Sequence, residues 1–228
     1  MRKPILMMLF IVALIFGFNS SAEAITAGTD MGEINLSFGL NANHYPNLAN
    51  QLRKEYDLSG RSYSWGYYFN ARQWIGEETY LGFIRDNMPW ALGNLAIGFE
   101  HDYLAFDFGD NEEIFVANSS YLLNIVYRLS ALNSFFSDDL LLNYYWGFHQ
   151  ARFEKDGETK LATNDKNVWS AKVGLEFDRD LFNLWVIKDL QLNTRLNYRF
   201  INHNQHSNPP IELDFSGVEV ALGVKKTF

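Results

Sequence analysis

The sequence predicts an all-β chain that closes into an antiparallel up-and-down barrel and crosses a membrane by its strands. Three observations carry this. Stretches of about ten residues alternate apolar and polar with a period of two, and they recur through most of the chain. The apolar parity is rich in large aromatics near the strand ends, drawing on 19 Phe, 12 Tyr and 6 Trp. The opposite parity combines small residues with mid-strand charges: Glu100, Lys172, Glu176, Arg195, Arg199 and Glu219. A soluble lipocalin-like barrel alternates as well, with its apolar face inward, and stands as the non-membrane alternative. Against it, the chain ends on a strand and has no Gly-x-Trp entry near the first strand.

At the N-terminus, Arg2 and Lys3 precede an apolar run over 5–18, and Ala22-Glu23-Ala24 makes a small-x-small cleavage site. This is a secretory leader, expected over 1–24 with cleavage between Ala24 and Ile25. Its apolar run is shorter than the ~20 residues that a spanning helix needs. The barrel domain is expected over 25–228. Removing the leader deletes two of the 19 basic and one of the 27 acidic residues, leaving 17 and 26 and a formal net charge of −9. An acidic balance argues against a nucleic-acid partner. With no cysteine, the exported chain must hold together without disulfides.

Residues 33–42 alternate strictly, Ile34, Leu36, Phe38, Leu40 and Ala42 against Glu33, Asn35, Ser37, Gly39 and Asn41. The segment 43–60 breaks the pattern. Pro46 followed by Leu48, Leu52 and Tyr56 at four-residue spacing predicts a short helix in a long first loop. Alternation resumes over 61–75, with Ser64, Gly66, Asn70 and Arg72 on the polar side, and again from Leu95 to Glu100. Residues 76–89 fit a strand, a kinked continuation or a turn, and 107–113 reads as an acidic loop. Three cleaner strands follow over 115–129, 140–152 and 168–178, then one over 190–200 and a last over 217–228. The connections 154–167 and 202–210 are long and polar, whereas 130–139 and 179–189 are apolar-aromatic and end in acidic residues.

In the last strand Val218, Val220, Leu222, Val224 and Phe228 share one parity, while Glu219, Ala221, Gly223, Lys225 and Thr227 share the other. This strand resembles the closing strand of bacterial outer-membrane β-barrels, whose mark is a final aromatic on the lipid-facing parity. Lys226 departs from that pattern, although a lysine at the membrane rim can snorkel. The resemblance implies a bacterial outer-membrane location, Phe228 as an assembly signal, and the barrel-assembly machinery and outer-membrane lipid as partners of a monomer. Barrels of this class put long loops outside and compact turns in the periplasm. Counting back from a periplasmic C-terminus gives four hairpins and so eight strands. If 76–89 forms an independent strand, the even count required of such barrels becomes ten.

An eight-stranded barrel has room inside only for its own side chains. The inward charges must therefore pair, with Arg152, Lys172, Arg195 and Arg199 expected to meet Glu100, Glu176 and Glu219 in a closed polar plug. No cofactor or metal site is expected. His203 and His206 in one loop lack a visible third ligand, and the acidic stretch 107–113 lacks the alternating spacing of a calcium loop. His149, Ser170 and Glu176, or the adjacent His206 and Ser207, are the only candidates for a lipid-modifying enzyme, and neither set has the His-x-Ser spacing of the lipid A deacylases. The leading expectation is a filled barrel that acts structurally or through its surface loops, by adhesion or ligand contact. A lipid-modifying enzyme and a narrow pore are the alternatives.

Overall fold

The structure, a computed structural model, describes residues 33–56, 63–76, 87–88, 94–108, 114–129, 139–155, 158–162, 168–180, 190–200, 202–204 and 212–228. The expected leader over 1–24 lies outside them. The described elements are β1 (Ile34–His44), α1 (Pro46–Tyr56), β2 (Tyr63–Trp74), β3 (Leu95–Phe108), β4 (Ile114–Arg128), β5 (Asp139–Lys155), β6 (Glu158–Ala162), β7 (Val168–Asp180), β8 (Leu190–Phe200), β9 (Asn202–Asn204), β10 (Glu212–Asp214) and β11 (Gly217–Thr227).

Eight of these strands form one closed antiparallel ring, in the order β1-β2-β3-β4-β5-β7-β8-β11 and back to β1. Each has a hydrogen-bonded neighbour on both sides, so no row of backbone groups is left open. Closure without residues 77–86 and 89, which lie outside the described set, decides the strand count as eight and not ten. The seam is the β1–β11 ladder, which runs from Asn35 opposite Thr227 to His44 opposite Val218. Beyond it, Phe228 exchanges both backbone hydrogen bonds with Ile34, at 2.9 and 3.2 Å.

Within this seam Gly39 faces Gly223. A Cβ on either would run into the partner strand's backbone and the Tyr68 side chain, its ring at Gly39 and its hydroxyl at Gly223. That space admits Tyr68, whose hydroxyl reaches across the lumen to donate to Asn193 Oδ1 at 2.7 Å.

Several strands exceed their sequence patterns. β3 continues to Phe108, so Asp107 is a strand residue and not part of an acidic loop; residues 109–113 lie outside the described set. The expected polar connection 154–167 contains β6, which folds back on β5 with a register irregularity between Phe153 and Glu154. The connection 202–210 likewise begins with β9, paired to β10. These extensions lie at the barrel end farthest from Phe228, here called the mouth, and neighbouring backbone pairing outweighs their polar composition there.

The outward parity is apolar and exposed: Leu40, Trp65, Phe99, Leu123, Trp146, Trp169, Leu196, Val220 and Leu222 all point away from the lumen. The inward parity is buried and, in the middle of the barrel, mostly polar. This arrangement is the inverse of a soluble barrel, whose apolar parity fills the interior. At the Phe228 end the lumen has an apolar floor of Trp74, Ala96, Val126 and Leu141. The Arg128 guanidinium sits 4.3 Å from the Trp74 ring centroid there.

At the mouth the helix expected within 43–60 is α1. Tyr45 O accepts from Ala49 N, Pro46 opens the first turn, and Arg53 and Lys54 suit the dipole of the last. Tyr45, Leu48 and Ala49 are buried, as is Phe215 after β10. The Tyr45 and Phe215 rings meet edge to face at 5.9 Å. Side-chain bonds join the two segments: Asn47 Nδ2 donates to Asp214 Oδ2 at 2.7 Å. Together they plug the mouth.

Candidate functional site

Strand alternation delivers one inward side chain every second residue, and in the middle of the barrel most of these are charged. Among the described residues five cations (Arg72, Lys172, Arg195, Arg199, Lys225) and five carboxylates (Glu100, Asp102, Glu176, Asp178, Glu219) are buried on the lumen parity. The sum is neutral. That balance is what makes the interior tolerable, since each ion withdrawn from water without compensation costs several kcal/mol.

The ions form one continuous ladder. Near the floor Lys225 pairs with Asp178, and Asp178 lies 3.6 Å from Arg72. Arg72 grips Glu176 with both terminal nitrogens, at 2.6 and 3.0 Å. Glu176 also meets Arg195 Nε at 3.2 Å, and Arg195 donates to Glu100 at 2.5 Å. Glu100 then pairs with Lys172, which reaches Asp102 and Glu219, each at 3.0 Å. Arg199 closes the upper end, bidentate on Asp102 at 2.5 and 3.2 Å and 2.6 Å from Glu219.

Neutral groups fill many of the remaining valences, while Arg199 Nε has no partner among the described residues. Asn143 donates to Glu176 and Asn197 to Glu219, Ser37 accepts from Arg195, and the Tyr68 and Tyr145 rings lie against Arg195 and Lys172. Charge-assisted bonds of this kind are about twice as strong as neutral ones, and the bidentate pairs also fix orientation.

Six of the seven sequence-predicted lumen residues thus come together: Glu100, Lys172, Glu176, Arg195, Arg199 and Glu219. Arg152 does not join them on register. Its backbone pairs with Ala117 and Ala162, sharing the parity of Phe148 and not that of His149, because β5 carries no bulge against β4. Arg72, Asp102, Asp178 and Lys225 also belong to the ladder, beyond the charges expected there from sequence. Arg72 and Lys225 stand on the polar parity of their strands, Asp178 follows Glu176 by two residues, and Asp102 follows Glu100 by two. Taking every charge on that parity as a lumen charge would have found all four.

Above the ladder the lumen changes character. Asn41, Asn43, Ser64, Asn118, His149 and Ser170 surround the mouth, each about 1% exposed. The side-chain nitrogens and oxygens of Asn41 and Asn43, Ser64 Oγ, Ser170 Oγ and Asn118 Nδ2 have no hydrogen-bond partner among the described residues. A buried group left unpaired costs about 1–3 kcal/mol. The apolar plug covers this layer, with the Phe215 ring 5.1 Å from the His149 imidazole. Burial pushes the Tyr45 hydroxyl above its usual pKa.

Of the candidate enzyme residues, Ser170 Oγ has no hydrogen-bond partner among the described residues, and Glu176 is held deeper in the lumen by Arg72 and Arg195. His203 lies in β9, paired through its backbone to Leu213; His206 and Ser207 lie outside the described residues. Phe228 sits at the seam, with Lys226 Nζ 5.2 Å from its ring centroid.

No protein-family model matches the chain, and no curated protein matches it. Solved structures share its fold, two of them at a TM-score of 0.50 or above among those compared. Neisserial surface protein A (NspA) aligns at a TM-score of 0.52 and 9% identity, over 86% of this chain and 97% of that one. The outer membrane protein OprG from Pseudomonas aeruginosa aligns at 0.50 and 12% identity, over 88% and 98%. At these identities the likeness is one of fold: the chain has the closed eight-stranded up-and-down architecture of the small outer-membrane β-barrel proteins.

Proposed function

We propose that this chain is an outer-membrane barrel, exported through a cleaved leader, that spans the bilayer as a plugged cylinder and acts structurally or through its mouth-end loops. The observation that carries this reading is the neutral ladder of ten buried ions inside a ring of exposed apolar side chains. The apolar ring suits hydrocarbon, where a closed sheet alone satisfies every backbone group. Ion pairs that cross the lumen favour a filled interior over a pore, which leaves the mouth-end connections and α1 to meet a surface or a ligand. Its partners are outer-membrane lipid and the assembly machinery that closes the barrel, and it works as a monomer.

Planar-bilayer recording tests this. The purified barrel is expected to be electrically silent at high protein load. Stepwise conductance from the folded protein would replace the reading with a pore.

A further inference from the structure

The plug and the socket it fills differ in chemistry. Leu48, Phe215 and the Tyr45 ring are largely apolar. The layer around them presents the amides of Asn41, Asn43 and Asn118 and the hydroxyls of Ser64 and Ser170, all fully buried and with unsatisfied hydrogen-bonding atoms among the described residues. A permanently closed mouth would be better lined by apolar side chains, because unpaired buried donors and acceptors oppose folding. Among the described residues the ladder below is paired within itself apart from Arg199 Nε, and it reaches this layer only through Ser120, which accepts from Arg199 and donates to Asn118 Oδ1.

We propose that the mouth of the lumen is a binding chamber for a small neutral solute rich in hydroxyl or amide groups, which enters when the plug swings out. Neutrality follows from the lining. Its unsatisfied groups are amides, which donate and accept, hydroxyls, which do both, and the single N–H of Arg199 Nε, whose charge Asp102 and Glu219 already balance. Small size follows from the barrel, whose eight strands leave a space that Leu48 and Phe215 already fill. The plug can move as a unit because its own hydrogen bonds join its halves. Asn47 bonds Asp214, Gln51 Oε1 accepts from Asp214 N at 3.4 Å, and Ser216 N donates to Asp214 Oδ1 at 2.8 Å. The solute takes the place of the apolar side chains and completes the hydrogen bonds that they cannot.

The absence of cysteine allows a direct test. Ser64→Cys and Lys54→Cys are made singly in the full mature chain, which is refolded into vesicles, and alkylation by iodoacetamide is timed. Only the heat-modifiable folded form is scored. Cys at 64 reports the chamber and Cys at 54 the exposed face of α1. Leu48→Ser with Phe215→Ser is expected to speed alkylation at 64 by about tenfold relative to 54, as the open state becomes the common one. With the plug intact, glycerol is expected to slow position 64 relative to 54, and sodium chloride at equal osmolarity to leave the ratio unchanged.

Equal rates with and without the plug overturn the chamber. A plug-dependent rate that glycerol does not slow means that water alone fills it, which overturns the solute site. Protection by glycerol and salt alike does so too. Should Ser64→Cys fail to fold, Ser170→Cys on the facing strand β7 serves as the reporter.

Discussion

Glu100 is the joint of the lumen. One of its carboxylate oxygens takes Lys172 and the other Arg195, so this side chain links the lower ion pairs to the upper ones. Its position decides the size of the effect expected from its removal. An exposed ion pair is worth about 0–1 kcal/mol, whereas deleting one member of a buried set strands its partners and costs about 3–5 kcal/mol. Glu100→Ala is therefore expected to lower the unfolding free energy of the refolded barrel by about that larger amount, read by urea titration of tryptophan fluorescence. A loss of only about 1 kcal/mol would mean that water reaches the ladder and that the interior is not a dry plug.

Single strands carry two opposed demands, and each can be tested. β7 presents Val173 and Trp169 outward and Lys172 and Glu176 inward, one residue apart. Val173→Arg places a charge on the apolar face and is expected to cost about 2–4 kcal/mol in lipid, measured by the same titration in vesicles. Folding into lipid as well as the parent chain would reverse the assignment of faces. In β11 the demand is closure. Deleting Phe228 removes the last two backbone bonds to Ile34 and the ring beside Lys226. Unpaired backbone groups cost several kcal/mol each in hydrocarbon. The truncated chain is expected to cross the inner membrane normally yet give less heat-modifiable barrel in the outer membrane. Full levels of that folded form would make β11 an ordinary edge and return the soluble barrel to favour.

For the whole molecule, the ring fixes which end is which. All described long excursions (α1, the β5–β6 hairpin and the β9–β10 hairpin) lie at the mouth, opposite Phe228. A chain exported by a leader and closed at its C-terminal strand would keep that mouth outside the cell. Mass spectrometry of the mature protein is expected to show a chain beginning at Ile25; an intact leader would remove it from the export route.

The sequence by itself determined the architecture, because alternation is a local property: each strand reports its two faces through its own residues, with no knowledge of its neighbours. Eight such strands, the helix after Pro46, the polar lumen parity and six of its ladder residues were legible for that reason. What only the tertiary structure decided depends on contacts between strands distant in sequence. The extension of β3 through Asp107 comes from pairing with β4. The placement of Arg152 on the Phe148 parity comes from the unbroken β4–β5 register. The recruitment of Arg72 and Lys225 to Asp178, and the seating of Phe215 over His149, require the ring to be closed before those side chains can meet. Periodicity says which way a side chain points, and only register says what it finds there.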